Sequence, residues 1–201
     1  MKKFSFLVVI AITAVLSSCG GTKQMAYDGG ATKSKNPFGE TFEAPCQVYD
    51  TKNDFKATGI YRGSSMQMGE LQRYAQNNAK QLVREKFRHS YKGMISEYSS
   101  SFGNNRGNDI ANKIESAGDQ ILDIIMNDIA ATCVRYSEVF DDGTCQCYVA
   151  IEVPKEVIAE KVAKKVADVL TEEEKEKINF NEYNYRKQME ERMQNYKEEK
   201  Q

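Results

Sequence analysis

Residues 132–153 restrict the fold more than any other stretch of this chain. Two runs rich in β-branched and aromatic side chains, 132–140 and 144–153, flank Asp141-Asp142-Gly143. An Asp-Gly pair between such runs is a hairpin signal, because both residues tolerate the turn conformations that match strand twist. Pro154 ends the second run and suits the first turn of a helix, where a missing N–H costs nothing. A hairpin alone leaves its apolar face uncovered, so the flanking segments must supply a second layer.

Those segments carry helical periodicity. From about residue 68 to 91, Leu71, Ala75, Ala79, Leu82, Val83 and Phe87 share one stripe, with Gln, Asn, Lys and Arg on the other side. The small Ala residues allow close approach to a sheet or a second helix, and Ser64 or Ser65 stands where a cap belongs. Residues 108–131 give the strongest periodic signal: Ile110, Ile114, Ala117, Ile121, Ile125 and Ile129, widened by Leu122 and Ile124. Between them, residues 93–107 hold Gly93, Gly103 and Gly107 among Ser and Asn and predict a loop. Residues 55–62 predict one more strand, in which Gly59 marks close approach of another backbone. Ile158, Val162, Val166 and Val169 predict a helix over 155–170. The expectation is an α+β fold: a small antiparallel sheet, strand plus hairpin, packed against two to three helices within residues 46–170.

Residues 171–201 differ in character. Thr171-Glu172-Glu173-Glu174 opens a helix with acids at the positive end of its dipole. Dense charge of alternating sign follows, and Ile178, Tyr185, Met189, Met193 and Tyr196 recur at roughly heptad spacing. One reading is a solvated charged helix whose removal leaves the domain stable. The other is a helix whose stripe docks on a protein partner or on its own copy.

At the other end, Lys2 and Lys3 precede an apolar stretch from Phe4 to Leu16, then Ser17, Ser18 and Cys19. The charged start, apolar run and small residues form the three-part pattern of a secretory signal. The run is shorter than the ~20 residues a membrane-spanning helix needs. Leu16-Ser17-Ser18-Cys19-Gly20 resembles the lipobox of bacterial lipoproteins. That resemblance implies a signal peptide over 1–18 and a lipidated Cys19 as the new N-terminus. Two acyl chains suffice for lasting membrane attachment. Gly20-Gly21-Thr22-Lys23 places no Asp beside Cys19, which by the same resemblance favours the periplasmic face of the outer membrane. Residues 19–45, rich in Gly, Thr, Ser, Lys and Asn, read as a flexible tether.

The chain holds 28 Lys and Arg against 29 Asp and Glu, a net charge of −1 that becomes −3 without Lys2 and Lys3. A near-neutral balance without a basic block argues against a nucleic-acid partner. Cys46, Cys133, Cys145 and Cys147 remain beyond Cys19. In an oxidising compartment an even number predicts two disulfides. Zinc competes, but the tight pair is C-x-C rather than a C-x2-C to C-x4-C knuckle. Buried free thiols fit an anaerobic source. Cys145 and Cys147, two apart on a strand, share one face and are better placed to reach Cys133 and Cys46 than each other.

No catalytic constellation assembles. His89 is the single histidine, and no G-x-S-x-G, H-E-x-x-H or G-x-x-x-x-G-K-[ST] occurs. The glycine-rich 103–108 offers backbone N–H groups to an anion only weakly. Glu138 and Glu152 have no evident carboxylate partner. No catalytic residue, cofactor or metal is expected.

The order strand, helix, helix, hairpin, helix behind a lipobox resembles the Lpp-twenty-like family of small bacterial outer-membrane lipoproteins. The residues that carry it are Ala57-Thr58-Gly59, "RYAQNNAKQLV" and "DDGTCQCYVAIEVP", over about 55–165. The cysteines and the charged tail depart from the pattern. The resemblance implies a small α+β domain with a non-enzymatic envelope role. Two functions are therefore expected to compete: a lipid-anchored binding or scaffolding module, and a thiol, disulfide or metal-binding protein using Cys46, Cys133, Cys145 and Cys147.

Overall fold

The computed structural model describes residues 44–100 and 105–196. The expected signal peptide, Cys19 and nearly all of the expected tether lie outside them. The described residues form an α+β fold with a three-stranded antiparallel sheet. Strand β1 is Asp54–Ser64, β2 Cys133–Tyr136 and β3 Thr144–Pro154, in the order β1-β3-β2. Helices α1 (Met68–Ser100), α2 (Asn105–Asp128), α3 (Lys155–Val169), α4 (Glu172–Lys177) and α5 (Glu182–Asn195) complete it.

Alternation along the strands assigns the two faces. Phe55, Ala57 and Gly59 lie opposite Val153, Ile151 and Val149, and all are buried beneath α1. Gly59 is required there. A Cβ on it would fall 2.0 Å from the Ala75 carbonyl oxygen and 2.4 Å from the Ala79 nitrogen, so backbone meets backbone. Ala75 and Ala79, both fully buried, leave the helix side of that contact equally bare.

Helix α1 runs through the predicted loop as far as Ser100. The apolar face outlasts the glycine: Tyr91 and Met94 follow Phe87 at helical spacing and are buried in the core. Asn105 already opens α2, while residues 103 and 104 of the weak anion loop lie outside the described residues. Two predicted stripe members, Leu82 and Ile124, face outward with 42% and 51% of their surface exposed. Each sits beside the stripe rather than on it.

The expected division at residue 170 needs correction. The tail makes two helices, broken where Asn179 takes a positive φ of 50°. At the helix start the sequence predicts, Thr171 and Glu174 cap each other reciprocally, and Lys113 of α2 holds Glu174 at 2.6 Å. Tyr185, Met189, Met193 and Tyr196 then turn inward onto α1 and α3 within the main core, with Ile178 partly buried beside them. Tyr185 and Tyr91 hydroxyls meet at 3.0 Å, and Tyr91 donates onward to the Ile114 carbonyl at 2.7 Å. The stripe expected to face a partner is thus a wall of the domain's own core. Apolar side chains at heptad spacing bury equally well against the same chain.

Candidate functional site

The four cysteines occupy opposite faces of the sheet. Near the turn the hairpin follows the predicted geometry: Phe140 N–H donates to the Thr144 carbonyl, Gly143 N–H donates to the Phe140 carbonyl, and Gly143 has φ of 75°. Extended without interruption, a three-residue turn would set Cys133 opposite Ile151, on the helix face. The observed partner is Ala150. Between Phe140–Thr144 and Tyr136–Cys147 the first strand advances four residues and the second three. That extra residue, within 137–139, is a bulge. A one-residue change of register moves a side chain to the other face of the sheet. Cys133 is thereby carried to the outer face.

There it bonds Cys46, with a Cα–Cα distance of 5.7 Å. Thr58, Ala150 and Cys133 form one row across the three strands. Cys46 spans this row. Its sulfur is joined to Cys133, and its carbonyl accepts from the Thr58 hydroxyl at 2.7 Å. Val48 N–H donates to the same hydroxyl at 3.2 Å. Beneath lies Ala150, fully buried and small enough to let the segment settle on the sheet. Asp50 continues the fastening: its Oδ1 accepts from Lys56 N–H and from the Lys86 ammonium, both at 2.8 Å. Lys86 also donates to the Lys56 carbonyl at 2.6 Å, and Asn78 to the Ile60 carbonyl at 2.9 Å. These bonds occupy backbone groups along the free edge of β1, where another strand would otherwise pair.

Cys145 and Cys147 are free, buried and on the helix face. This corrects the expectation of two disulfides: the bulge leaves this pair facing away from Cys133, whose partner is Cys46. Cys147 lies between Tyr61 and Tyr136 in its row, and Cys145 lies opposite Gly63. Leu71, Ala75 and Val149 enclose them in a small apolar cluster under the first turns of α1. The Met68 sulfur stands 3.9 Å from the Cys145 sulfur. The Tyr136 hydroxyl reaches the Met68 carbonyl at 3.2 Å and Gln72 Oε1 at 3.4 Å, and it also contacts the Cys147 thiol. Burial pushes the Cys147 thiol above its ordinary pKa, with Cys145 adding to the effect and Tyr136 opposing it. Burial raises Tyr136 as well, reinforced by Cys147. Both shifts favour the neutral forms of Cys147 and Tyr136.

Met68 and Tyr136 escaped sequence reasoning. Met68 marks only a helix start in the linear pattern, and Tyr136 reads as an ordinary strand aromatic. Of the remaining candidates, Glu152 pairs with Lys56 at 2.9 Å across β1 and β3, and Glu138 accepts a bond from Ser137 through its carbonyl. His89 stacks edge-on to Tyr196 at 5.5 Å between ring centres. Among the described residues, no three His, Cys, Asp or Glu side chains gather to hold a metal ion.

Compared with protein-family models, curated proteins and solved structures, the chain finds no match.

Proposed function

We propose that this chain is a lipid-anchored protein of the bacterial envelope, held at the periplasmic face of the outer membrane, whose domain acts by binding or scaffolding. The observation that carries the reading is Leu16-Ser17-Ser18-Cys19 behind a charged start and an apolar run. The domain supports it in two ways. A disulfide joins Cys46 to Cys133, and persistent disulfides belong to oxidising compartments. Charged side chains around the sheet pair with one another, Lys56 with Glu152 on the outer face and Lys86 of α1 with Asp50 at the edge of β1. The resemblance to Lpp-twenty-like lipoproteins points the same way.

On this reading the disulfide at Cys46 ties the start of the domain covalently to β2 through Cys133. Cys19→Ala tests the anchor. The variant should lose palmitate labelling and partition into the aqueous phase after detergent extraction. Labelling and membrane retention equal to the parent would overturn the proposal. Crosslinking in cells, read by mass spectrometry, should recover envelope proteins with the parent and fewer with Cys19→Ala.

A further inference from the structure

We propose that Cys145, Cys147 and Met68 form a binding site for a soft monovalent metal ion, Cu(I), at the end of the sheet beneath α1. This goes beyond the anchoring role and stands independently of it. Three sulfur-bearing side chains share this end of the sheet. Two are free thiols on one face of β3, and the third is the Met68 thioether, 3.9 Å from Cys145. Same-face neighbours on a strand have Cα atoms about 6.6–6.8 Å apart. That is the upper limit of what a disulfide spans, with the Cβ vectors side by side rather than converging. The pair is therefore held open while β3 stays intact. Nor does it reach the Cys46–Cys133 bond, which lies on the opposite face of the sheet.

The donor set selects the ion. Thiolate and thioether are soft ligands, and Cu(I) accepts two or three of them, whereas zinc favours four and prefers Cys and His. The lining of Leu71, Ala75 and Val149 adds no oxygen donor. Met68 is 42% exposed, so the ligand with the most rotatable side chain also opens the site to solvent. Binding forms two Cu–S bonds to thiolates and one to the thioether. Each thiol releases its proton to water, and no electron is transferred. The resulting bis-thiolate carries a net charge of −1.

The test uses the full-length chain, exported and purified in detergent without thiol reductant. Cu(I) is supplied anaerobically with ascorbate against bicinchoninate as competitor. One Cu(I) per chain is expected, with the same stoichiometry in Cys19→Ala and in Cys46→Ser/Cys133→Ser. Cys145→Ser/Cys147→Ser should abolish binding. Met68→Leu, at an exposed position that leaves folding intact, should weaken it by about 10- to 100-fold, no less than loss of an outer-shell partner does. Copper wholly surrendered to the competitor overturns the proposal. So does parental affinity in Met68→Leu, or retention of Zn(II) in preference to Cu(I).

Discussion

Two cysteine pairs sit on the two faces of one sheet, and they differ in almost every physical respect. Cys46 and Cys133 are far apart in sequence, by 87 residues, and are covalently joined on the outer face. Cys145 and Cys147 are two residues apart and remain thiols on the helix face. Among the described residues no helix covers the outer face, and the incoming segment is fastened there by a disulfide and a shared hydroxyl, with Asp50 paired at the edge of β1 to Lys86 of α1. The helix face is already sealed by α1 at backbone contact, and its thiols add apolar surface and potential ligands. Closeness in sequence does not decide which cysteines pair. Orientation does.

If the helix face depends on intimate packing, Gly59→Val should do the greatest damage. Two backbone atoms stand within 2.4 Å of the new Cβ, and neither is free to retreat without moving α1 off the sheet. A loss of about 5 kcal/mol or more is expected, in the exceptional class for point mutations. Urea denaturation monitored by circular dichroism measures it. A loss under about 1 kcal/mol would show that α1 does not lie where the contact places it.

The outer face should respond to covalent change instead. Cys46→Ser/Cys133→Ser opens a loop closed over 87 residues, which in the chain-entropy account removes about 4–5 kcal/mol. Parent protein in dithiothreitol should show the same decrement. Were stability to survive reduction, the hydrogen bonds at Thr58 and Asp50 would suffice to hold the segment.

Alanine at Met189 extends the contrast to the tail. Its side chain is buried in the main core, so about 2–5 kcal/mol should be lost. Tyr183, 70% exposed on the same helix, should cost within about 0.5 kcal/mol when replaced by Ala. Equal small effects at both positions would return the tail to a solvated helix.

The smallest effect concerns the ion pair joining α2 to α4. The Lys113 ammonium bonded to Glu174 holds that carboxyl below its ordinary pKa, with the Thr171 N–H assisting. A depressed folded pKa contributes stability above the unfolded value and loses it as pH falls through the folded one. Glu174→Gln should therefore remove under about 1 kcal/mol at pH 7 and nothing at low pH, where parent and variant unfolding curves should coincide. A difference that persists in acid would mean the side chain matters for packing rather than charge.

The sequence by itself determined the element types and the turn. Hairpin runs around Asp141-Asp142-Gly143, the stripes through Ile110 and Ile158, the capping acids after Thr171 and the close approach at Gly59 are all local or periodic signals. Backbone preference and amphipathic spacing encode them within a few residues. Tertiary structure alone decided three things. It carried α1 past Gly93, because Met94 finds a core that residues far along the chain provide. It turned the tail's Tyr185, Met189 and Met193 inward, because a periodic apolar stripe specifies that it be buried and not against what. It set the cysteine pairing through one extra residue between Tyr136 and Phe140. Side-chain direction on a strand alternates residue by residue, so a single bulge reverses which partners a cysteine can meet. Only the folded register counts that residue.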